Sequence, residues 1–427
     1  MLDIRFIKEN PKLVKENIRK RYQESKLILV DKVAENYSRI LKLKKEAEEL
    51  RHRRNKLSME INSLVKRKVD ASSVIREVKG IPGKIKDFED KKHELELELN
   101  SQLIQIPNLM HSSVPKGKDH TQNKVIKKNG KIPKFNFQIK NHVELGEQLG
   151  VLDFDSSAET SGNGFYYMKG KLALLNQALI RFVIDFMSSK KYQYIETPLM
   201  ISRKVAAAAG DLDAFEKALY KIESEELYMI PTAEHPLLGM HLNKNFSEDE
   251  LPKKYFSYSM CFRKEIGSHG INEKGLWRTH QFNKVEQFIF CRQKDSWKMY
   301  EELRKNTEQI FQKLKLPYRI IESCSGDLGN WKAKSEDIEV YRPTTKQYEE
   351  VTSLSNCTDF QARKLNIKFV NKKGDKEVVH TLNNTAIATS RALVAIMENY
   401  QTKDGEIKIP TVLQKYLGFK KIEKNKK

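Results

Sequence analysis

Four short segments carry residue types that could hold a charged, flat ligand, and each is read first for what its spacing allows. In YFSYSMCFRKE the apolar Phe256, Tyr258, Met260 and Phe262 alternate with Ser257 and Ser259 and then Arg263 and Glu265, the pattern of a half-buried strand. After a loop from Gly267 to Gly275, WRTHQFNKVEQF again reads at period two and puts Arg278, His280, Phe282, Lys284 and Glu286 on one face. Joined as an antiparallel hairpin, these faces bring two arginines, two carboxylates and an aromatic plate to one surface, suited to a phosphate, an ammonium and a planar base. A surface ladder of ion pairs with one exposed Phe accounts for the same residues.

Upstream, the short apolar strand Tyr228 to Ile230 runs into Pro231-Thr232-Ala233-Glu234, a hydroxyl and a carboxylate two residues apart at a strand end. Downstream, Glu350 and Ser353 in EEVTS are an acid and a hydroxyl three apart that could share a hard cation, although an exposed strand explains them equally well. Thr381 to Thr389 reads as a strand and turn, followed by an apolar helix from Ser390 to Met397 with Arg391 in its first turn. A guanidinium at the positive end of a helix dipole is unfavourable unless an anion accepts both, so a phosphate fits there; a pairing with an acid from elsewhere is the alternative. Phosphate-loop chemistry is excluded, because Leu276 and Trp277 follow Gly275 where Lys and Ser or Thr are required, and Gly162-Asn163-Gly164 lacks the third glycine of a dinucleotide fingerprint.

The elements that must position these residues follow from the rest of the chain. At 427 residues it has room for two or three domains, and 78 Lys and Arg against 57 Asp and Glu leave a net charge of +21, which favours a polyanionic partner such as nucleic acid. The four cysteines lie far apart without CxxC or HExxH spacing, which argues against a zinc site or a disulfide framework. Acids and bases are mixed in the first ten residues and no uninterrupted apolar run reaches about 18, so a cytoplasmic protein without a membrane partner is expected.

From Val33, the positions Tyr37, Ile40, Ala47, Leu50, Leu57, Ile61 and Leu64 alternate at spacings of three and four, and a second series runs from Val74 to Leu99. With the polar turn Arg67 to Asp70 between them, two helices of roughly 50 Å each should fold back as an antiparallel arm. Arg51, Arg53, Arg54, Lys56, Lys66, Arg67 and Lys68 crowd its tip, as a phosphate-contacting surface or as a solvated face. Gly80-Ile81-Pro82-Gly83 falls inside the second helix, and an interior proline costs about 3 kcal/mol, so a kink or break is expected there. The stretch 111–140 reads as a linker with a loose strand or two.

Taken in order, these segments resemble the class II aminoacyl-tRNA synthetases, and the chain is similar to the seryl-tRNA synthetases in particular. Ile180 to Pro198 resembles motif 1, the FRKE to KVEQ hairpin motif 2, and AIATSRALVAIMENYQ motif 3; the basic hairpin, PTAE and Glu349 to Arg363 resemble features of the seryl enzymes. NNTAIATSR, with Asn384, Ala386 and Ser390 where bacterial relatives usually carry glycines, is more similar to the archaeal branch. The resemblance implies an α+β fold, an antiparallel sheet flanked by helices, with domain 1–110 for tRNA binding, linker 111–140 and catalytic domain 141–427. It implies activation of L-serine with ATP and Mg²⁺ to seryl-adenylate and transfer to tRNA-Ser, leaves tRNA-Sec open as a second acceptor, and implies a homodimer through motif 1.

Residue by residue, Arg263 would hold the α-phosphate and the serine carboxylate, Phe282 would stack on adenine, and Arg391 with Arg278 would meet the γ-phosphate. Glu265 would approach the adenine amino group, Glu350 and Ser353 would hold Mg²⁺, and Thr232, Glu234, Glu286 and Thr385 would read serine. Arg263, Arg391 and Glu350 would be the catalytic set, and the tip residues Arg51 to Lys68 would meet the long variable arm of the tRNA. Two other readings compete. A carrier-protein aminoacylating paralogue would lack the basic arm, and a non-catalytic paralogue should have lost one of Arg263, Glu286, Glu350 or Arg391.

Overall fold

The computed structural model describes residues 1–210, 212, 216–265 and 274–424. The loop expected from Gly267 to Gly275 thus lies largely outside the described residues. Two compact units are formed, Met1–Leu109 and Met110–Lys427.

In the first unit the heptad series become α1 (Leu27–Lys66) and α2 (Ser72–Gln105). Seam residues Val33, Ile40, Ala47, Ile81, Ile85 and Leu99 are buried, whereas the seam toward the tip, from Leu50 to Leu64, is half-exposed, because two helices alone cannot enclose it. The break expected at Pro82 is absent and α2 runs through it as one helix. Ile81 and Ile85, on either side of the proline, are buried in the seam, and this packing offsets the missing hydrogen bond. Near the base, Arg21 is buried and donates to the Asn108 carbonyl at 2.9 Å.

The second unit is built on one eight-stranded sheet. Its strands are β1 (Lys124–Asn129), β2 (Gln193–Tyr194), β3 (Lys253–Phe262), β4 (Gln281–Cys291), β5 (Tyr318–Glu322), β6 (Lys334–Arg342), β7 (Gln347–Thr358) and β8 (His380–Ala388). The spatial order is β1-β5-β6-β7-β8-β4-β3-β2, antiparallel throughout except for the parallel β2–β3 pair at one edge. The segment read as a linker thus supplies an edge strand, paired to β5.

One face of the sheet, with Phe256, Val285, Ile289 and Ile387, packs against three helices, α3 (Gly170–Ser189), α4 (Ser296–Lys313) and α5 (Thr389–Asn399). Each fully buried Phe, Ile or Leu contributes roughly 1.5–3 kcal/mol, so this face is the main source of stability. Helix α3 is long and apolar enough to cross a membrane, but it carries Arg181 and Asp185 and 56% of its apolar window is buried in this core. On the opposite face, Phe288 and Phe290 anchor a smaller core, and beside it polar side chains of β4, β7 and β8, with Arg263 just past the end of β3, line an open cleft.

Candidate active site

The hairpin read from the sequence is the β3–β4 pair, with Ser257 opposite Glu286, Ser259 opposite Lys284 and Cys261 opposite Phe282. Period two holds within β4, so Phe282, Lys284 and Glu286 share the cleft face. It does not extend back to His280 and Arg278, because β4 begins at Gln281 and the preceding chain is irregular. The His280 ring turns away, with Nδ1 3.0 Å from the Arg263 carbonyl oxygen and its face against Phe165. Arg278 still reaches the cleft and donates to Glu265 at 3.4 Å. Glu265 itself has left-handed backbone at φ 48°, a conformation unusual for a residue with a Cβ, where the chain leaves the strand.

Two strand irregularities complete the constellation. In a regular strand Glu350 and Ser353 would point to opposite faces. The β6–β7 register shifts between Ile338 and Glu339, pairing Ile338 with Thr352 and Glu339 with Glu350, so Val351 is an extra residue. That bulge brings Glu350 and Ser353 to one side, with Asp337 paired opposite Ser353. A second shift, at Ala386, lies beside Thr385, which stays paired with Glu286.

These elements enclose a cleft of about 240 Å³ lined by Thr232, Glu234, Arg263, Glu265, Arg278, Phe282, Glu286, Glu350, Ser353, Thr385 and Arg391, all eleven pocket residues singled out in the sequence. Glu286 and Lys284 form an ion pair at 2.7 Å, both almost fully buried, and the Thr385 hydroxyl donates to Glu286 at 3.2 Å. Glu234, at the start of the helix Glu234–Gly239, accepts from Gln361 at 2.8 Å and Asn383 at 3.1 Å. Burial, reinforced by the nearby Glu286 charge, pushes its carboxyl up to about 7. The Thr232 hydroxyl accepts from the Glu234 N–H at 3.2 Å. Arg263 donates to the Pro231 carbonyl at 3.3 Å and its guanidinium lies 5.1 Å from the centre of the Phe282 ring.

At the other end, Arg391 donates to the backbone carbonyls of Glu350 at 2.8 Å and Trp277 at 3.3 Å, with the Glu350 carboxylate at 3.7 Å. The Asp337 carboxyl is pushed up to about 7 by burial and by Glu350, and its Oδ1, shut off from solvent, has no hydrogen-bond partner among the described residues. Sequence reasoning missed Asp337, Lys332, Gln361, Asn383, Trp277 and Trp331. Asn383 was within reach, two residues before Thr385 on the same strand face. Gln361 lies inside the segment Glu349 to Arg363 but was given no role there, and Asp337 comes from a distant segment with no local signal. Lys332, in an irregular connection, places its Nζ 3.4 Å from Ser353 Oγ.

At the arm tip Arg51 pairs with Glu89, and Arg53 with Glu77 at 2.5 Å, so these two arginines brace the hairpin. Lys56, Lys66, Arg67 and Lys68 are exposed and Arg54 is half-exposed.

A cleft that gathers arginines, an aromatic plate and paired carboxylates on an antiparallel sheet can bind a nucleotide beside an amino acid. Comparison with known proteins decides the family. Residues 219–400 match the tRNA synthetase class II core domain (G, H, P, S and T), and residues 1–110 match the seryl-tRNA synthetase N-terminal domain. The chain is 47% identical over 424 residues to a serine–tRNA ligase of Methanospirillum hungatei, covering 99% of this chain and 100% of that one. The chain belongs to the seryl-tRNA synthetase family. As such it is an ATP-dependent, AMP-forming serine–tRNA ligase, which activates serine and charges tRNA with it.

The fold agrees over its whole length with a crystal structure of seryl-tRNA synthetase from Pyrococcus horikoshii complexed with ATP, at a TM-score of 0.94, 41% identity and 100% coverage of both chains. It also matches a serine–tRNA ligase from Naegleria fowleri in complex with AMP, at a TM-score of 0.89, 32% identity and coverage of 100% of this chain and 99% of that one. The archaeal character read from NNTAIATSR agrees with relatives at 40% identity or more from archaeal species.

Proposed function

We propose that the cleft divides the serine-charging reaction among its residues as follows. Arg263 neutralises the α-phosphate and holds the serine carboxylate, Phe282 offers its ring to adenine with Glu265 near the adenine amino group, and Arg278 and Arg391 take the γ-phosphate. Thr232, Glu234, Glu286 and Thr385 read the serine ammonium and hydroxyl. The serine carboxylate is ionised at neutral pH, so no strong general base is required. One of its oxygens attacks the α-phosphorus, the bond to the bridging oxygen of pyrophosphate breaks, and pyrophosphate leaves with the electron pair. Arg263 and Arg391 align the reactants and offset charge. In the second half-reaction the 3′-hydroxyl of the terminal tRNA adenosine attacks the seryl carbonyl carbon, the bond from that carbon to the phosphate oxygen breaks, and AMP leaves with the electron pair as the hydroxyl proton is released.

The donor set near Arg391 fits Mg²⁺, which favours one or two carboxylates plus phosphate oxygens. Glu350 and Ser353 would hold it, and the hidden, unpartnered Asp337 Oδ1 supplies a further acidic oxygen beside them. When bound, the ion offsets charge on the phosphates.

Specificity rests on hydrogen bonding. Buried Glu286 and Thr385, already partnered by Lys284 and by each other, offer a serine hydroxyl a further hydrogen bond that alanine cannot make, whereas threonine and cysteine are excluded only by volume and weaker bonding. The basic tip of the first unit, exposed at Arg53, Lys56, Lys66, Arg67 and Lys68 and half-exposed at Arg51 and Arg54, contacts the variable arm of tRNA-Ser. Exposed apolar side chains just before and just after motif 1, Leu174, Leu199 and Met200, support a homodimer, and four free, buried cysteines suit a reducing cytoplasm.

The observation that carries this reading is the convergence of all eleven sequence-selected pocket residues on one cleft. ATP–pyrophosphate exchange with each of the twenty amino acids, without tRNA, tests it. Exchange with serine alone is expected. Exchange with a different amino acid would overturn the pocket assignment.

A further inference from the structure

Arg391 has a long, flexible side chain, and in the absence of an anion nothing intrinsic to it would hold its guanidinium over the cleft. Its neighbours are arranged to do so. The guanidinium carbon lies 5.4 Å from the centre of the Trp277 ring, and Nε donates to the Trp277 carbonyl at 3.3 Å. Trp277 thus meets Arg391 with both its indole and its backbone.

Trp277 is itself fixed from behind. The Arg342 guanidinium lies 4.6 Å from its ring centre. Arg342 donates to the Glu398 carboxylate at 2.8 and 3.3 Å and to Glu349 at 3.1 and 3.2 Å. Glu398 is fully buried and also accepts from Thr344 at 2.6 Å and from His142 Nδ1 at 3.2 Å. The other nitrogen of His142 accepts the N–H of Leu276, the residue before Trp277, at 3.1 Å. Gly275 permits that approach, since a Cβ there would come within 2.9 Å of His142 Nε2. Because Glu398 and Arg391 both belong to α5, the contacts close a ring: α5 holds Arg342 through Glu398, Arg342 lies on Trp277, and Trp277 holds Arg391 back toward α5.

We propose that Trp277 is a positioning residue that presets the Arg391 guanidinium for the terminal phosphate of ATP, through the contact of its indole ring with that cation. The proposal rests on the γ-phosphate role given to Arg391 above. Two cations near one indole are tolerable because Glu349, Glu350 and Glu398 surround them, and the ring face attracts a guanidinium most strongly when partly shielded from water, as here. Presetting removes rotamer entropy that the nucleotide would otherwise have to overcome.

Binding of ATP and of AMP to the full-length protein, measured by calorimetry, separates this role from simple packing, because AMP has no γ-phosphate. Trp277→Leu keeps apolar bulk and removes the π face, while Trp277→Phe keeps a π face. Trp277→Leu is expected to weaken ATP binding about tenfold and leave AMP binding within twofold, and Trp277→Phe to restore ATP binding to within about threefold of the parent. Arg391→Ala serves as the reference and should lose the preference for ATP over AMP. Equal weakening of ATP and AMP by Trp277→Leu, or no recovery with Phe, would overturn the proposal by assigning Trp277 to general packing. A preference lost in Arg391→Ala and kept in Trp277→Leu would overturn it alone. A preference kept in Arg391→Ala would overturn the γ-phosphate assignment and the proposal with it.

Discussion

Glu286→Ala is the perturbation whose effects on stability and on catalysis can both be worked out. The Glu286 carboxylate and the Lys284 ammonium are buried against each other at 2.7 Å, and removing one partner of such a pair costs about 3–5 kcal/mol because the remaining charge is stranded. The unit Met110–Lys427 has about 320 residues, and at about 2.1 cal/mol/K per residue its unfolding entropy is about 0.7 kcal/mol/K. The melting temperature should therefore fall by about 4–8 °C. On catalysis, a hydrogen bond to a charged acceptor contributes about 1.5–3 kcal/mol. The orphaned Lys284 ammonium also comes to face the ammonium of serine, and like-charge juxtaposition adds several kcal/mol. Together these place the loss in kcat/KM for serine-dependent ATP–pyrophosphate exchange at about 10³-fold or more. The double variant Lys284→Met with Glu286→Leu removes both charges and should regain the melting temperature without regaining exchange. Serine exchange above a tenth of the parent rate in Glu286→Ala would refute the pocket assignment, and an unchanged melting temperature would refute the stranded-charge argument.

Four further outcomes are expected. Glu234, with its carboxyl pushed up to about 7, must lose its proton to hold the serine ammonium, so the KM for serine should rise by up to about tenfold per pH unit below about 7, and Glu234→Gln should flatten that dependence. The same elevation means that the substrate-free folded protein binds more protons than the unfolded chain between about 4.5 and about 7, so stability falls as pH rises through that window; denaturant titrations of Glu234→Gln should show a shallower slope, keeping the share contributed by Asp337. Reversing Lys66, Arg67 and Lys68 to Glu should weaken tRNA binding and shallow its salt dependence while tRNA-independent exchange stays within twofold; an unchanged salt slope would remove the tip from the tRNA interface. Gly80→Ala and Gly83→Ala, where an added Cβ meets nothing within 4 Å, should each stabilise α2 by about 1 kcal/mol, read as slower amide exchange through the Pro82 region.

The period-two pattern of Phe282, Lys284 and Glu286 was legible in the sequence, because within a regular strand the pleat alone decides which side chains share a face. The heptad spacing likewise predicted the pairing of α1 with α2, because a seam needs only its own two helices. Arg391 in the first turn of an apolar helix was legible as well, and α5 carries it there. The family motifs selected every cleft residue that the resemblance named.

What the tertiary structure decided depends on partners far away in the chain. The bulge at Val351 turns Glu350 and Ser353 to one side, which an alternating pattern would separate, and bulges are set by the register of the neighbouring strand. His280 leaves the cleft because the strand begins one residue later, an end fixed by hydrogen bonds to Arg263 and Gly164. The helix survives Pro82 because Ile81 and Ile85 are buried on the partner helix, a gain that local propensity does not contain. Gln361 beside Glu234, Asp337 opposite Ser353 and the ring through Trp277 join segments 16 to 256 residues apart, and proximity across such distances is a property of the packed sheet alone.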